Sequence, residues 1–145
     1  MVECANHCVY DVKYHMVLCV KYRKKLLLTD EVVDYLVELC HGLEQRYHLS
    51  FDSIGCDKNH CHLLVRAKPC YAPSDVMRTV KSVTAIKLFE HFEWIKTELW
   101  GGEFWSDGDY IGTVGEGVNA DIIRKYIEKQ GKKMDKNQMR LIDFK

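Results

Sequence analysis

The stretch "LSFDSIGCDKNHCHLLVRA", residues 49–67, sets the architecture. "LSFDSIGC" alternates as a half-buried strand does, "DKN" supplies turn residues, and "HCHLLVRA" reads as the returning strand. Successive side chains in a strand point to opposite faces. His60 and His62 therefore stand side by side, while Cys61, Leu63, Val65 and Ala67 line the other face. Such a pair fits a metal site, and it also fits a plain solvated sheet face.

Before this hairpin, "VYDVKYHMVLCV" (residues 9–20) is rich in β-branched and aromatic residues and predicts a strand. The basic turn "KYRKK" follows at residues 21–25. Thr29 is a good N-cap with Asp30 and Glu31 in the first turn, and Val32, Val33, Leu36, Leu39, Cys40 and Leu43 recur at helical spacing to about Tyr47. After the hairpin, Pro73 and Ser74 open a second helix with Val76, Met77, Val80, Val83, Leu88 and Phe89 as its buried stripe. "FWSDGDYIGTV" (residues 104–114) predicts a fourth strand around an Asp107-Gly108 turn. "GEGVN" (residues 115–119) reads as a flexible joint, and Asn119 as the cap of a third helix over 119–134, with Gly131 near its end.

The order is β-α-β-β-α-β plus a C-terminal helix. This is an α+β chain of ferredoxin-like (RRM-like) type, an antiparallel sheet with helices on one face and the other face open. Packing Cys61, Leu63 and Val65 under the helices turns His60 and His62 onto the open face. A fold of this kind carries no function by itself.

The length of 145 residues predicts a single domain, 1–145, and 47% apolar content is enough for a sizeable core. The 21 basic and 21 acidic residues cancel, so nucleic-acid binding would have to come from local patches. Those patches are residues 21–25, Lys81, Lys87 and a tail cluster of Lys129, Lys132, Lys133, Lys136 and Arg140. No apolar run approaches the roughly 20 residues of a membrane helix. The opening "MVECANHCVY" lacks the basic start and apolar core of a leader, which gives a cytoplasmic expectation. Seven cysteines with no CxxC pair read as small buried apolar residues of a reducing compartment. Cys56, His60, Cys61 and His62 make a poor tetrahedral zinc set, because neighbouring strand residues face opposite ways.

Two imidazoles leave a divalent-metal site incomplete. Carboxylates or carboxamides near the C-terminal helix are the chemically sensible third donor. There Tyr126 and Gln130, at i and i+4, share one helix face. Gln130 offers a carboxamide oxygen and Tyr126 a phenol. With a pKa near 10, roughly one free phenol in a thousand is ionised at neutral pH. A nearby divalent cation raises that fraction and polarises a phosphodiester oxygen. The set His60, His62, Gln130 and Tyr126 thus suffices for attack on a DNA phosphate, with a covalent phosphotyrosine as product. Two other readings stay open on the residues alone. One is a non-catalytic module holding single-stranded nucleic acid on the open sheet face. The other is a zinc-stabilised structural protein.

"HCHLLV" resembles the histidine–hydrophobic–histidine (HUH) motif, and "YIEKQ" (residues 126–130) resembles the tyrosine–xxx–glutamine helix of the one-tyrosine HUH transposases of the IS200-like insertion sequences (TnpA), with the REP-associated transposases as relatives. "HCVYDVKYHMVLCVKYRKKLL" (residues 7–27) is similar to the family's opening strand and basic turn, and "FWSDGDYIGTVG" to its last strand. The resemblance implies a transposase that binds subterminal hairpins and cuts and rejoins single-stranded DNA with Mg²⁺ or Mn²⁺. Tyr126 would join the 5′ phosphate, and His60, His62 and Gln130 would hold the metal. It also implies a homodimer whose active sites are shared between subunits, with residues 112–117 (Gly112, Gly115, Gly117) as the hinge. Lys21, Arg23, Lys24 and Lys25, with the tail lysines, would supply DNA contacts. Two departures stand out. Cys61 replaces a larger aliphatic residue, and Asn59 replaces the usual aspartate before the first histidine.

Overall fold

The computed structural model describes residues 3–5, 8–115 and 118–128. Gln130, Gly117 and the basic tail lie outside the described residues, as does the remainder of the helix expected over 119–134.

The strand expected over residues 9–20 is two strands. β1 (Glu3–Ala5) and β2 (Cys8–Tyr10) form a separate antiparallel pair, and β3 (Lys13–Cys19) begins after Asp11 and Val12. Helix α1 (Asp30–Tyr47) starts directly after Thr29, which is extended as a cap should be but makes no side-chain capping bond. His48, in the left-handed conformation, ends α1. Then come β4 (Ser50–Asp57), β5 (His60–Arg66), α2 (Pro73–His91), a short α3 (Glu93–Glu98), β6 (Tyr110–Thr113) and α4 (Val118–Glu128). The main sheet runs β4-β5-β3-β6 with every neighbouring pair antiparallel. With α1 between its first two strands and α2 between its last two, this is the expected ferredoxin-like order.

One face of the sheet carries Tyr14, Met16 and Leu18 from β3 and Cys61, Leu63 and Val65 from β5. They pack with Val32, Leu36, Cys40 and Leu43 of α1 and Val76, Met77, Val80 and Leu88 of α2 in one apolar core. The α1 positions are spaced three or four apart, and in α2 the buried Thr84 fills the gap between Val80 and Leu88 on the same helix face.

The segment before β6 departs from the expected strand. Phe104 and Trp105 are adjacent and both buried, which an alternating strand cannot achieve against a single core. Trp105 donates its indole N–H to the Thr84 hydroxyl at 2.9 Å and makes a lone bridge to Val20. Regular pairing begins only at Tyr110. Gly112 lies inside β6 rather than in a hinge, and a Cβ there would collide with the Tyr110 hydroxyl. Gly115 sits in the irregular link that precedes α4.

The far face of the sheet is not open as expected. Helix α4 packs on β4 and β5. Val17, Leu64 and Ile127 are buried there, apart from the main core.

Candidate active site

The far face brings three imidazoles together. Pairing of β3 with β5 sets His62 opposite Val17 and His15 opposite Leu64, so His15 and His62 are diagonal neighbours on one face. His15 Nε2 lies 3.1 Å from His62 Nδ1, and the two rings are within 25° of parallel. The His60 ring meets His62 edge-on at a centroid distance of 5.1 Å. His60 Nδ1 lies 2.8 Å from Asn59 Oδ1; an amide oxygen only accepts, so His60 donates from Nδ1, and the neutral ring carries its lone pair on Nε2. Asn59 therefore does the orienting work that aspartate does elsewhere.

Helix α4 delivers Tyr126 to the same spot. Its ring stands edge-on to His62, centroids 5.5 Å apart, within one chain. Ile127, wholly buried, anchors the helix on the sheet. A second anchor comes from β4, where the register shifts between Phe51 and Ser53. That bulge takes Asp52 out of the alternation. Arg66 Nε donates to both Asp52 oxygens at 3.0 and 2.9 Å, and Arg124 Nη2 of α4 lies 3.6 Å from the same carboxylate.

His62 is 2% exposed. Burial, then the neighbouring His60 and His15 rings, push its pKa down to about 3, and burial pushes His15 down to about 4. Both are therefore neutral at pH 7. His62 Nε2 is buried with no hydrogen-bond partner among the described residues. An orphaned buried nitrogen beside a second oriented imidazole is the donor set a divalent cation needs, so the residues fit a metal. Among the described residues no three His, Cys, Asp or Glu side chains converge on an ion. Gln130, the third donor expected from the sequence, lies outside the described residues.

The zinc set fails on geometry. Cys56 and Cys61 are buried on the core side of the sheet, Cys56 Sγ donating to Cys61 Sγ at 3.4 Å. His60 and His62 are on the other face. The Cys56 hydrogen bond and burial push the Cys61 thiol well up, away from the thiolate that metals bind.

The basic turn lies at the histidine end of the sheet. Val20 N–H donates to the Asn59 carbonyl at 2.7 Å, and Leu27 N–H to that of Lys58 at 2.8 Å, which ties both ends of the turn to the β4–β5 turn. Lys21 is paired with Glu103 at 2.8 Å and Lys24 with Glu98 at 3.6 Å, while Arg23 and Lys25 are exposed. Part of the positive charge is thus already neutralised.

Sequence reasoning singled out His60, His62 and Tyr126, and these three meet. It passed over His15, although the alternation of "KYHMV" puts His15 on the face opposite Tyr14 and Met16. It also passed over Asp52, whose place depends on a bulge that no local pattern announces.

The family described as "Transposase IS200 like" matches residues 8–130. The chain belongs to this family. The ISDra2 transposase TnpA of Deinococcus radiodurans is 35% identical over 84% of this chain and 86% of its own length. The transposase for insertion sequence element IS200 of Salmonella typhimurium is 30% identical over 86% of this chain and 80% of its own. A crystal structure of a Deinococcus radiodurans protein assigned as a transposase superposes with a TM-score of 0.71 at 30% identity, covering 88% of this chain and 97% of that one. The REP-associated tyrosine transposase bound to a REP hairpin reaches 0.59 at 12% identity, over 88% and 70%, and shares the fold. The chain is accordingly a transposase, an enzyme of DNA cutting and rejoining in the movement of insertion sequences. Among the described residues no helix is long and apolar enough to cross a membrane.

Proposed function

We propose that the chain cuts and rejoins single-stranded DNA at insertion-sequence ends through a 5′-phosphotyrosine at Tyr126, with Mg²⁺ or Mn²⁺ held by His60, His62 and Gln130. The observation that carries this reading is the edge-on contact of Tyr126 with His62, whose buried Nε2 lacks a partner among the described residues.

A divalent cation bound there supplies positive charge that favours the phenolate and stabilises charge on the phosphate oxygens. The chain's own residues do the rest. Asn59 orients His60, and Ile127 with the Asp52–Arg124 pair holds α4 so that the Tyr126 ring stands against His62. The Tyr126 oxygen loses its proton and bonds to phosphorus. The P–O3′ bond breaks, and the departing 3′ oxygen ends protonated as a free hydroxyl. Rejoining reverses these changes with another 3′ hydroxyl, so the phosphodiester is conserved and no external energy source is needed.

Arg23 and Lys25 of the basic turn, at the histidine end of the sheet, are suited to contact the DNA backbone, with Lys21 and Lys24 exchanging their carboxylate partners for phosphate. Subterminal hairpins are the substrate this reading assigns. α4 covers part of the sheet face that a non-catalytic binding module would use, which favours the enzymatic reading. A homodimer with shared sites belongs to the proposal as well. Exchange of α4 between two copies would rebuild from two chains the cluster that the present packing builds from one.

The test is a labelled hairpin-bearing strand incubated with purified protein and Mn²⁺. Wild type should give a covalent adduct and a free 3′ hydroxyl, and Tyr126→Phe neither. An adduct that persists in Tyr126→Phe refutes the nucleophile. Mixing Tyr126→Phe with His62→Ala chains should restore cutting if α4 is exchanged, and should not if each chain uses its own.

A further inference from the structure

We infer that His15 is a positioning residue that accepts the Nδ1–H of His62 and thereby turns the Nε2 lone pair of His62 toward the metal. This inference rests on the proposed role of His62 as a ligand. Two ring nitrogens that face each other at 3.1 Å have room for one hydrogen between them, so one ring donates and the other accepts, and a His62 that binds metal is neutral. If His15 donated, neutral His62 would carry its hydrogen on Nε2. That N–H is buried with no partner among the described residues, and it would point a proton where a cation must sit. If His62 donates from Nδ1, its Nε2 carries the lone pair instead. The orphaned atom then becomes a ligand in waiting.

The arrangement repeats what Asn59 does for His60. In both cases Nδ1 of the strand β5 histidine is held by an acceptor, at 2.8 Å for Asn59 and 3.1 Å for His15. Both ligand rings are thus set to present Nε2. The sheet builds this second acceptor deliberately. His15 pairs with Gly112, and the missing side chain leaves room for the Tyr110 ring, which stands edge-on to His15 with centroids 6.0 Å apart. His15 is held between Tyr110 and His62.

The experiment uses the full chain labelled with ¹⁵N-histidine. Two-bond ¹H–¹⁵N spectra of wild type saturated with Mg²⁺ should show His62 protonated on Nδ1. A hydrogen on His62 Nε2 overturns the inference, and this needs no variant. Mn²⁺ titration followed by electron paramagnetic resonance then supplies the variants. His15→Leu, which fills the space but accepts nothing, should weaken Mn²⁺ binding about 10- to 100-fold. His15→Gln, whose amide oxygen can accept the same hydrogen, should recover most of the loss. Wild-type affinity in a folded His15→Leu overturns the inference. Should His62→Ala bind Mn²⁺ as wild type does, the metal reading itself fails, and the two failures are thereby told apart.

Discussion

Strand β5 shows two chemistries on its two faces, at nearly equal burial. Toward α1 and α2 it presents Cys61, Leu63 and Val65, each 1% exposed or less. Toward α4 it presents His62 at 2% and Arg66 at 8%. The first face gains stability by removing apolar surface from water. The second buries polar groups, which costs stability unless each finds a partner. Arg66 finds Asp52, and His62 finds His15 on one nitrogen only. That half-satisfied, buried imidazole is what the proposed metal role of His62 would explain.

Substitutions at the adjacent residues 61 and 62 should separate the two faces most clearly. His62→Ala should lower cleavage on the order of 1000-fold or more while the chain stays folded, because it removes the proposed ligand and the edge against which Tyr126 rests. Cys61→Ala should cost about 1 kcal/mol of stability and leave cleavage per folded molecule near wild type. Rate measurements alongside thermal melts separate the two. Equal losses of rate would dissolve the distinction between the faces.

Of the two faces of β5, acid should act on the far one. His15 and His62 are neutral in the fold, with pKa values pushed down to about 4 and 3, whereas the unfolded chain takes up those protons near 6.5. Below pH 6.5 the unfolded state binds more protons than the folded one, so stability falls as pH falls. Each imidazole contributes up to about 1.4 kcal/mol per pH unit until its folded pKa is reached. Denaturant melts of metal-free protein between pH 7 and 4 measure the slope, which His15→Gln should reduce by about half. A flat profile over that window would contradict the neutral pair.

Smaller effects come from the link between sheet and tyrosine helix. Asp52→Asn leaves Arg66 buried without its carboxylate and should cost about 2 kcal/mol, read by melting. Arg124→Gln touches only the longer, more exposed contact and should cost under about 1 kcal/mol. It should nonetheless lower cleavage a few-fold by loosening Tyr126. Raised salt should mimic Arg124→Gln more than Asp52→Asn.

Most of this was legible in the sequence where one rule acts alone. Period-two alternation in "HCHLLVR" set the two faces of β5, and the periodic apolar residues of α1 and α2 fell where the core required them. What stayed hidden depends on distant contacts. The break at Asp11 and Val12, the plug made by Phe104 and Trp105, and the short α3 follow from packing against elements far along the chain. The Asp52 bulge is set by pairing with β5 and the demands of Arg66. His15 was concealed because its partner is 47 residues away, across a strand pairing that only the assembled sheet defines. The covering of the far face by α4 was missed for a like reason. A short amphipathic helix announces its stripe but not the surface it will cover.

On the proposed reading the Tyr126 oxygen, from a ring set against His62, is the nucleophile that bonds to DNA. Mass spectrometry of the protease-digested wild-type adduct tests it directly. Digestion should yield one modified peptide containing residue 126, carrying the nucleotide through a 5′-phosphate ester on the tyrosine oxygen. A modification on any other residue, or a linkage through a 3′ phosphate, would contradict it.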